Sequence, residues 1–183
     1  LSGQSKAGRF EEIALPHLGA AYNLARWLVQ NEHDAEDVVQ EAYLRAFKFF
    51  GGYYGGDSRS WLLTIVRNTS YSWLQKNRML RLSEPLDENV EDTTLDFADP
   101  EMLLLQSTDS QTVRHALEEL PVDFREVVVM REMEGLSYKE IANIVDVPIG
   151  TVMSRLARGR KRLQSMLASY MGKEADVELS ANK

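Results

Sequence analysis

The chain has 183 residues, enough for one large or two small domains whose cores fold without metal or disulfide help. Hydrophobic residues make up 44% and charged residues 27%, which excludes wholesale disorder and collagen-like architecture. The absence of cysteine excludes disulfide frameworks, thiolate zinc sites, iron–sulfur clusters and cysteine nucleophiles, and fits a reducing compartment. No apolar run approaches the roughly 20 residues that cross a bilayer, and the polar start Leu1-Ser2-Gly3-Gln4 does not read as a signal peptide. A cytoplasmic chain without direct membrane insertion is expected. The first residue is not methionine, which leaves room for residues ahead of Leu1.

A formal net charge of −7 argues against a nucleic-acid partner until its distribution is considered. Residues 1–83 carry 10 Lys/Arg and 8 Asp/Glu, residues 84–108 carry 0 and 8, residues 109–171 carry 9 and 9, and residues 172–183 carry 2 and 3. The acidic excess is thus confined to a connector and a tail. The connector, from Glu84-Pro85 to Asp99-Pro100, has no basic residue and few apolar anchors, so it buries too little surface to offset chain entropy. The expected organisation is a flexible N-terminus over 1–9, a first domain over 10–82, an acidic linker over 83–108, a second domain over 109–171 and a frayed tail over 172–183. No repeat of a 20–50-residue period is present, which excludes a solenoid.

The first domain reads as all helix. Leu18, Ala21, Tyr22, Ala25, Leu28 and Val29 form one face of a first helix, with Pro16 tolerated at its start. Asn31-Glu32-His33 reads as a turn and Asp34 as the next N-cap, with Glu36 and Asp37 in the first turn, where the helix dipole favours negative charge. Ala35, Val38, Val39, Ala42, Ala46, Phe49 and Phe50 make the core stripe, and Glu36, Asp37, Gln40, Glu41 and Arg45 the opposite face. That face reads either as ordinary solvated surface or as a docking surface for a basic partner. Gly51-Gly52-Tyr53-Tyr54-Gly55-Gly56-Asp57-Ser58 must turn, and it lacks the Gly-Lys-Ser/Thr ending of a phosphate-binding loop. Asp57 or Ser58 can cap the following helix. Its core face is Leu62, Ile65, Val66, Thr69 and Trp73, while Arg59, Arg67, Asn68, Tyr71, Gln75 and Arg78 fall largely elsewhere. Guanidinium, amide and aromatic groups interleaved in this way suit phosphate contact and base stacking.

In the second domain, Val113, Ala116, Leu117 and Leu120 define an amphipathic helix ending before Pro121, and a β-branched segment, Phe124 to Arg131, is bounded by helix signals. Ser137 and Glu140 form a capping box, Ile141, Ala142 and Val145 face inward, and Asp146-Val147-Pro148 breaks the chain for a short turn. Ala142 is small where two helices must cross closely, and Val147 and Val152 can plug the angle between them. Beyond Pro148 and Ile149, Thr151, Ser154, Arg155, Arg158 and Arg162 fall on one polar, basic stripe. A recognition helix needs this arrangement: short polar groups at its start to approach base edges, then arginines for guanine edges and phosphates.

On these residues the sequence resembles a bacterial RNA polymerase sigma factor, sigma-70 family, of the extracytoplasmic-function (ECF) group, from about Phe10 to Leu167. Asp34-Ala35-Glu36-Asp37-Val38-Val39-Gln40-Glu41 looks like the region-two helix that docks on core polymerase. Gly56-Asp57-Ser58 with Trp61-Leu62-Leu63-Thr64-Ile65-Val66-Arg67-Asn68 resembles the promoter-melting and minus-ten segment. Leu120-Pro121 through Val127, and Gly150-Thr151-Val152-Met153-Ser154-Arg155-Leu156, resemble region four, which reads the minus-thirty-five element. The resemblance implies an all-α fold of two small helical domains, core RNA polymerase, promoter DNA and an anti-sigma factor as partners, no cofactor, no small-molecule substrate and no enzyme activity. It assigns Asp34, Glu36, Asp37, Gln40 and Glu41 to core polymerase. Tyr53, Tyr54, Asp57, Ser58, Arg59, Arg67, Asn68 and Tyr71 go to the minus-ten element and melting, and Pro148, Ile149, Thr151, Ser154, Arg155, Arg158 and Arg162 to the minus-thirty-five element. Tyr53-Tyr54-Gly55-Gly56 and Met153 depart from the commoner pattern, where basic residues often stand. Attachment at the inner membrane would come only through the anti-sigma factor, and nothing after Gly172 resembles an added regulatory domain.

Two other readings compete for these residues. A dimeric helix-turn-helix regulator with an N-terminal sensor explains the second domain but not the glycine–tyrosine loop feeding a basic–aromatic helix. A metal hydrolase built on His33, Asp34 and Asp37 lacks His-Glu-x-x-His spacing, and those acids are explained as helix-start residues.

Overall fold

The structure, a computed structural model, describes residues 5–83 and 108–181, with side-chain surroundings from 5 to 80 and from 111 to 170. The expected acidic linker therefore lies, between 84 and 107, outside the described residues. Among the described residues there is no strand. The first unit comprises α1 (Lys6–Ala14), α2 (Leu18–Val29), α3 (Glu32–Phe49) and α4 (Ser58–Ser83), with 3-10 turns at Leu15–His17 and Phe50–Gly52. The second comprises α5 (Thr108–Glu119), α6 (Val122–Val128) continuing into a π-helical turn at Val129–Met133, α7 (Tyr138–Val145) and α8 (Ile149–Ala181).

Helices α2, α3 and α4 pack pairwise around Ala21, Leu24, Ala25, Leu28, Val38, Ala42, Leu62 and Val66, all nearly or fully buried. Small alanines on α2 and α3 let the backbones approach, while the leucines of α2 and α4 fill the space between the helices. Helix α1 begins inside the stretch read as a loose N-terminus. The Ser5 hydroxyl accepts from the Gly8 N–H at 3.1 Å, and Phe10 is buried edge-on against Tyr43, Phe47 and Phe50, which anchors the helix across α3.

Several local expectations are corrected. Helix α3 starts one turn early, at Glu32, because the Asn31 side chain accepts from the Asp34 N–H at 3.1 Å. Asn31 is therefore the cap, and Asp34 is a first-turn residue. The break before it is made by Gln30 in the left-handed region (φ 61°). Leu18, Phe49 and Val113 are exposed rather than core, the first two as terminal residues of α2 and α3. Helix α8 runs through residues 172–181, where fraying was expected. That segment holds Lys173, Glu174, Ala175 and Leu179, all good helix formers, and no proline, so its largest single propensity cost is Gly172, about 1 kcal/mol.

In the second unit, α5, α6 and α7 pack on α8 around Leu120, Val127, Val128, Ile141, Ile144, Val152 and Leu156. The Ser137–Glu140 capping box is formed in both directions. Asp146 takes the left-handed conformation (φ 55°) that ends α7 and turns the chain into α8. The two units do not stand apart: α4 lies against α7 and α2 against α6.

Candidate nucleic-acid interface

On α3, Glu36, Asp37, Gln40 and Glu41 share one exposed face, and Asp34 is half-buried at its start. Glu41 accepts from Arg45 Nε at 2.7 Å, an exposed i,i+4 pair on the same helix. Such a pair contributes only about 0.3–0.5 kcal/mol, so the face is an acidic surface rather than a structural lock.

The loop before α4 is closed by Tyr53, whose hydroxyl donates to the Gly56 carbonyl at 2.8 Å and whose ring packs against Phe50 and Trp61. Gly55 and Gly56 have φ near 100°, a region closed to other residues without strain. This geometry anchors Tyr53 and leaves Tyr54 96% exposed, the one tyrosine here free to meet an unstacked base. Trp61 is half-buried in the aromatic cluster. Asp57 caps α4 by accepting from the Arg59 and Ser60 N–H groups and from the Ser60 hydroxyl. Partial burial pushes its carboxyl up, but these hydrogen bonds win and hold it below the usual aspartate value. The Ser58 hydroxyl is tied to His17 Nε2 at 2.9 Å, and burial together with the nearby Arg59 keeps His17 below its ordinary pKa.

Pro148 before α8 and Ile149, Ser154, Arg158 and Arg162 on it are exposed, and Thr151 and Arg155 are half-buried. Val152 and Leu156 anchor the opposite side at 0% and 1% exposure, so the helix presents its polar stripe outward. Arg162 lies over the Phe124 ring at 5.1 Å, and with Arg158 and Lys161 it lines a basic groove floored by Phe124 and Met166. Arg155 does not project freely. Its guanidinium is 3.5 Å from Glu126 and 3.6 Å from Asp123.

The two expected DNA-contacting sets are not independent surfaces. Arg67 Nε and Nη2 donate to Glu126 Oε2 and Oε1 at 2.7 and 3.1 Å, a two-pronged pair across the seam between α4 and α6. The Arg67 guanidinium stacks 4.4 Å above the Tyr71 ring, and the Tyr71 hydroxyl reaches Asp123 at 3.5 Å. Arg59 donates to the Glu134 carboxylate and carbonyl at 2.8 and 2.9 Å, and Asn23 donates to the same carboxylate at 3.0 Å. Arg59, Leu63, Arg67, Ser70 and Tyr71 follow helical spacing, which explains why Leu63 and Ser70, absent from the expected core stripe, are fully buried. Asn68 falls off this stripe and stays exposed.

Glu126 is 0% exposed, and burial pushes its carboxyl above the usual glutamate range against the opposing pull of Arg67. Burial likewise pushes the Tyr71 hydroxyl up. Neighbouring Arg125 is buried with Nε and Nη1 unpartnered. A signal for buried charge was available: Arg125 and Glu126 adjoin the apolar run Val127–Met130, whose helix must bury most of its circumference. Among the described residues no group of three or more His, Cys, Asp or Glu side chains is arranged to hold a metal ion, and no helix is long and apolar enough to cross a membrane.

Two helical units, one bearing a helix-turn-helix and the other a glycine–tyrosine loop on a basic–aromatic helix, define the class of all-helical proteins built around a helix-turn-helix. Comparison with known proteins is specific. Residues 14–79 match the family described as Sigma-70 region 2, and residues 110–163 match Sigma-70, region 4. The chain is 34% identical over 172 residues to the ECF RNA polymerase sigma factor SigE of Mycolicibacterium smegmatis, covering 94% of this chain and 66% of that protein, just under two thirds. It is 32% identical to the RNA polymerase sigma-H factor of Pseudomonas aeruginosa, with 86% of each chain covered. It is 36% identical over 139 residues to the ECF RNA polymerase sigma-E factor of Escherichia coli, covering 72% and 73%. Among solved structures, it matches the sigma factor RpoE of Bartonella quintana, crystallised with the anti-sigma factor NepR, at a TM-score of 0.72 and 31% identity, covering 87% of this chain and 97% of that one. The chain belongs to the sigma-70 family, in its ECF group of sigma factors.

Proposed function

We propose that this chain binds core RNA polymerase and directs it to promoters by contacting two elements, one with each helical unit, and by opening the DNA at the nearer one. The observation that carries this reading is the ordered pairing of two sigma-family units, each keeping an exposed surface of the required chemistry. The acidic face of α3, Glu36, Asp37, Gln40 and Glu41 with Asp34 beside it, is the core-docking surface. The stripe of Thr151, Ser154, Arg155, Arg158 and Arg162, entered through Pro148 and Ile149, reads the minus-thirty-five element. Tyr53, Tyr54, Asp57, Ser58, Arg59, Arg67, Asn68 and Tyr71 serve the minus-ten element and melting.

Physical reasoning supports the dependence on polymerase. Phosphate neutralisation supplies most non-specific affinity for DNA, and a chain of charge −7 supplies little of it alone. Held on polymerase, two weak contacts become one bivalent grip, provided the units sit one promoter spacing apart. Base extrusion costs a few kcal/mol, which exposed Tyr54 can return by stacking where the glycine backbone allows close approach. The protein acts by binding rather than by catalysis, works in the cytoplasm and is controlled by an anti-sigma factor that holds the two units closed, at the inner membrane where that factor is membrane-bound. The test is run-off transcription with added core polymerase. Initiation from a cognate promoter and its loss when the upstream element is scrambled are expected, and equal transcription from both templates overturns the reading.

A further inference from the structure

The polar groups expected to read bases at the start of α8 are largely engaged within the protein. The Ser154 hydroxyl donates to the Thr151 carbonyl at 3.0 Å, Thr151 is itself half-buried, and the Arg155 guanidinium stands 3.5 Å from Glu126 and 3.6 Å from Asp123. What the first turns of this helix leave open is apolar. Ile149 is 45% exposed and Met153 52% exposed, and exposed Ala157 continues the row at the same four-residue spacing. This ridge runs beside the row of Ser154, Arg158 and Arg162, one residue over, so it borders the basic stripe along the helix. Arg160, the cation on that flank, is taken up by Glu132, to which its Nε and Nη2 donate at 2.9 and 2.5 Å. The ridge therefore offers apolar contact rather than charge. Single exposed apolar side chains need no explanation, but two in successive turns do when they stand at the end of a helix-turn-helix that meets base edges.

We propose that Met153, with Ile149 one turn ahead of it, reads the 5-methyl groups of thymines in the upstream promoter element. This rests on the reading of α8 given above as the helix that meets that element.

In the major groove thymine alone presents a methyl group, and apolar side chains are what distinguish it. The two residues divide the task by their stiffness. Met153 is unbranched and adapts to a methyl whose position shifts with local DNA shape, whereas Ile149 is β-branched and offers a fixed wall. A partner protein is the poorer occupant, because a ridge two large side chains long falls far short of the ~800 Å2 per partner that a stable protein interface buries. The exposed cations beside it, Arg158 and Lys161, suit the phosphates on either side of a groove.

The experiment uses the full chain bound to core polymerase. An upstream block is selected from a randomised duplex library, and each of its thymines, on either strand, is then replaced in turn by uracil, which deletes the methyl and keeps every hydrogen-bonding group. Burying one methyl corresponds to about fourfold in affinity, so uracil at one position or at two adjacent ones should weaken holoenzyme binding by about that factor each. Met153→Ala should lose a similar factor on the thymine template and show no further loss with uracil at the position it reads. Met153→Leu, which keeps an apolar side chain, should retain the uracil effect, and Ile149→Ala should remove it at the neighbouring position. Both residues are exposed, and thermal unfolding of each variant is measured alongside. A selected block without thymine, no uracil effect at any thymine, or an undiminished uracil effect in the Met153→Ala chain each overturns the proposal. A wild-type chain that directs core polymerase to no preferred block fails the sigma-factor reading itself, and the proposal with it, before any uracil is introduced.

Discussion

Gly159 decides how closely α8 approaches α6, and replacing it tests the packing that aims the recognition stripe. A Cβ built there would lie 2.9 Å from Val128 Cγ2 and 3.4 Å from Phe124 Cβ, whereas one at Gly150, nearer the start of the same stripe-bearing helix, meets nothing within 4 Å. Alanine is better than glycine in a helix by up to about 1 kcal/mol, so Gly150→Ala should be neutral or stabilising by that amount. At Gly159 the same gain is opposed by overpacking of about 1–3 kcal/mol, because Val128 is β-branched, fully packed and cannot rotate away. Gly159→Ala should therefore lose up to about 2 kcal/mol, and comparison of the two variants cancels much of the propensity gain and isolates the clash. Urea unfolding followed by far-ultraviolet circular dichroism measures both. Trp27, Trp61 and Trp73 all lie in the first unit, so tryptophan fluorescence should move less than the dichroism signal. Adding Val128→Ala to Gly159→Ala should be markedly non-additive, with coupling of about 1 kcal/mol. Equal stability gains for Gly150→Ala and Gly159→Ala would refute the argument.

Asp37→Lys with Glu41→Lys should weaken binding to core polymerase in a pull-down titration while costing the fold no more than about 0.5 kcal/mol each, since both side chains are exposed. Asp57→Asn should flatten the acid limb of a stability–pH profile: the stabilisation from the depressed carboxyl is fully present above the ordinary value of 3.8 and is lost as pH falls through the lower native value. Asp57→Ala should cost about 0.5–2 kcal/mol as a lost helix cap and reduce permanganate reactivity of the bubble on duplex templates, with partial rescue on pre-melted ones. Arg158→Ala, on an exposed position, should weaken holoenzyme binding to all promoters alike and lower the salt slope by about one. Arg155→Ala should also lower thermal stability, because it removes a partner of buried Glu126.

The helix-turn-helix was legible because its signals are local. A capping box, a proline turn and a 3.6-residue stripe each occupy a few neighbouring residues, and the capping box, the inward Ile141, Ala142 and Val145, and the anchors Val152 and Leu156 lie where that spacing puts them. The cap at Asn31 was misjudged because Asp34, followed by acids, offers an equally good local signal, and the choice depends on where Gln30 ends α2. The seam was not legible. Arg59, Arg67 and Tyr71 read as free groups on a solvated helix because the acids that meet them, Glu134, Glu126 and Asp123, stand more than fifty residues later in the sequence, with the connector between. Pairing at that separation is a property of tertiary packing, and single-sequence periodicity carries no trace of the partner.

Transcription by core polymerase plus this chain from a duplex library, with both upstream elements and the spacer between them randomised, tests the central claim most directly. Sequencing of the transcribed templates should return two short preferred blocks at one fixed separation. Arg158→Ala should weaken output from the whole library, and the Tyr54→Ala and Asp57→Ala chains should fail on duplex but recover in part on templates already open at the downstream block. Stimulation without any preferred sequence, a single preferred block with no fixed spacing, or no stimulation above core polymerase alone would contradict it.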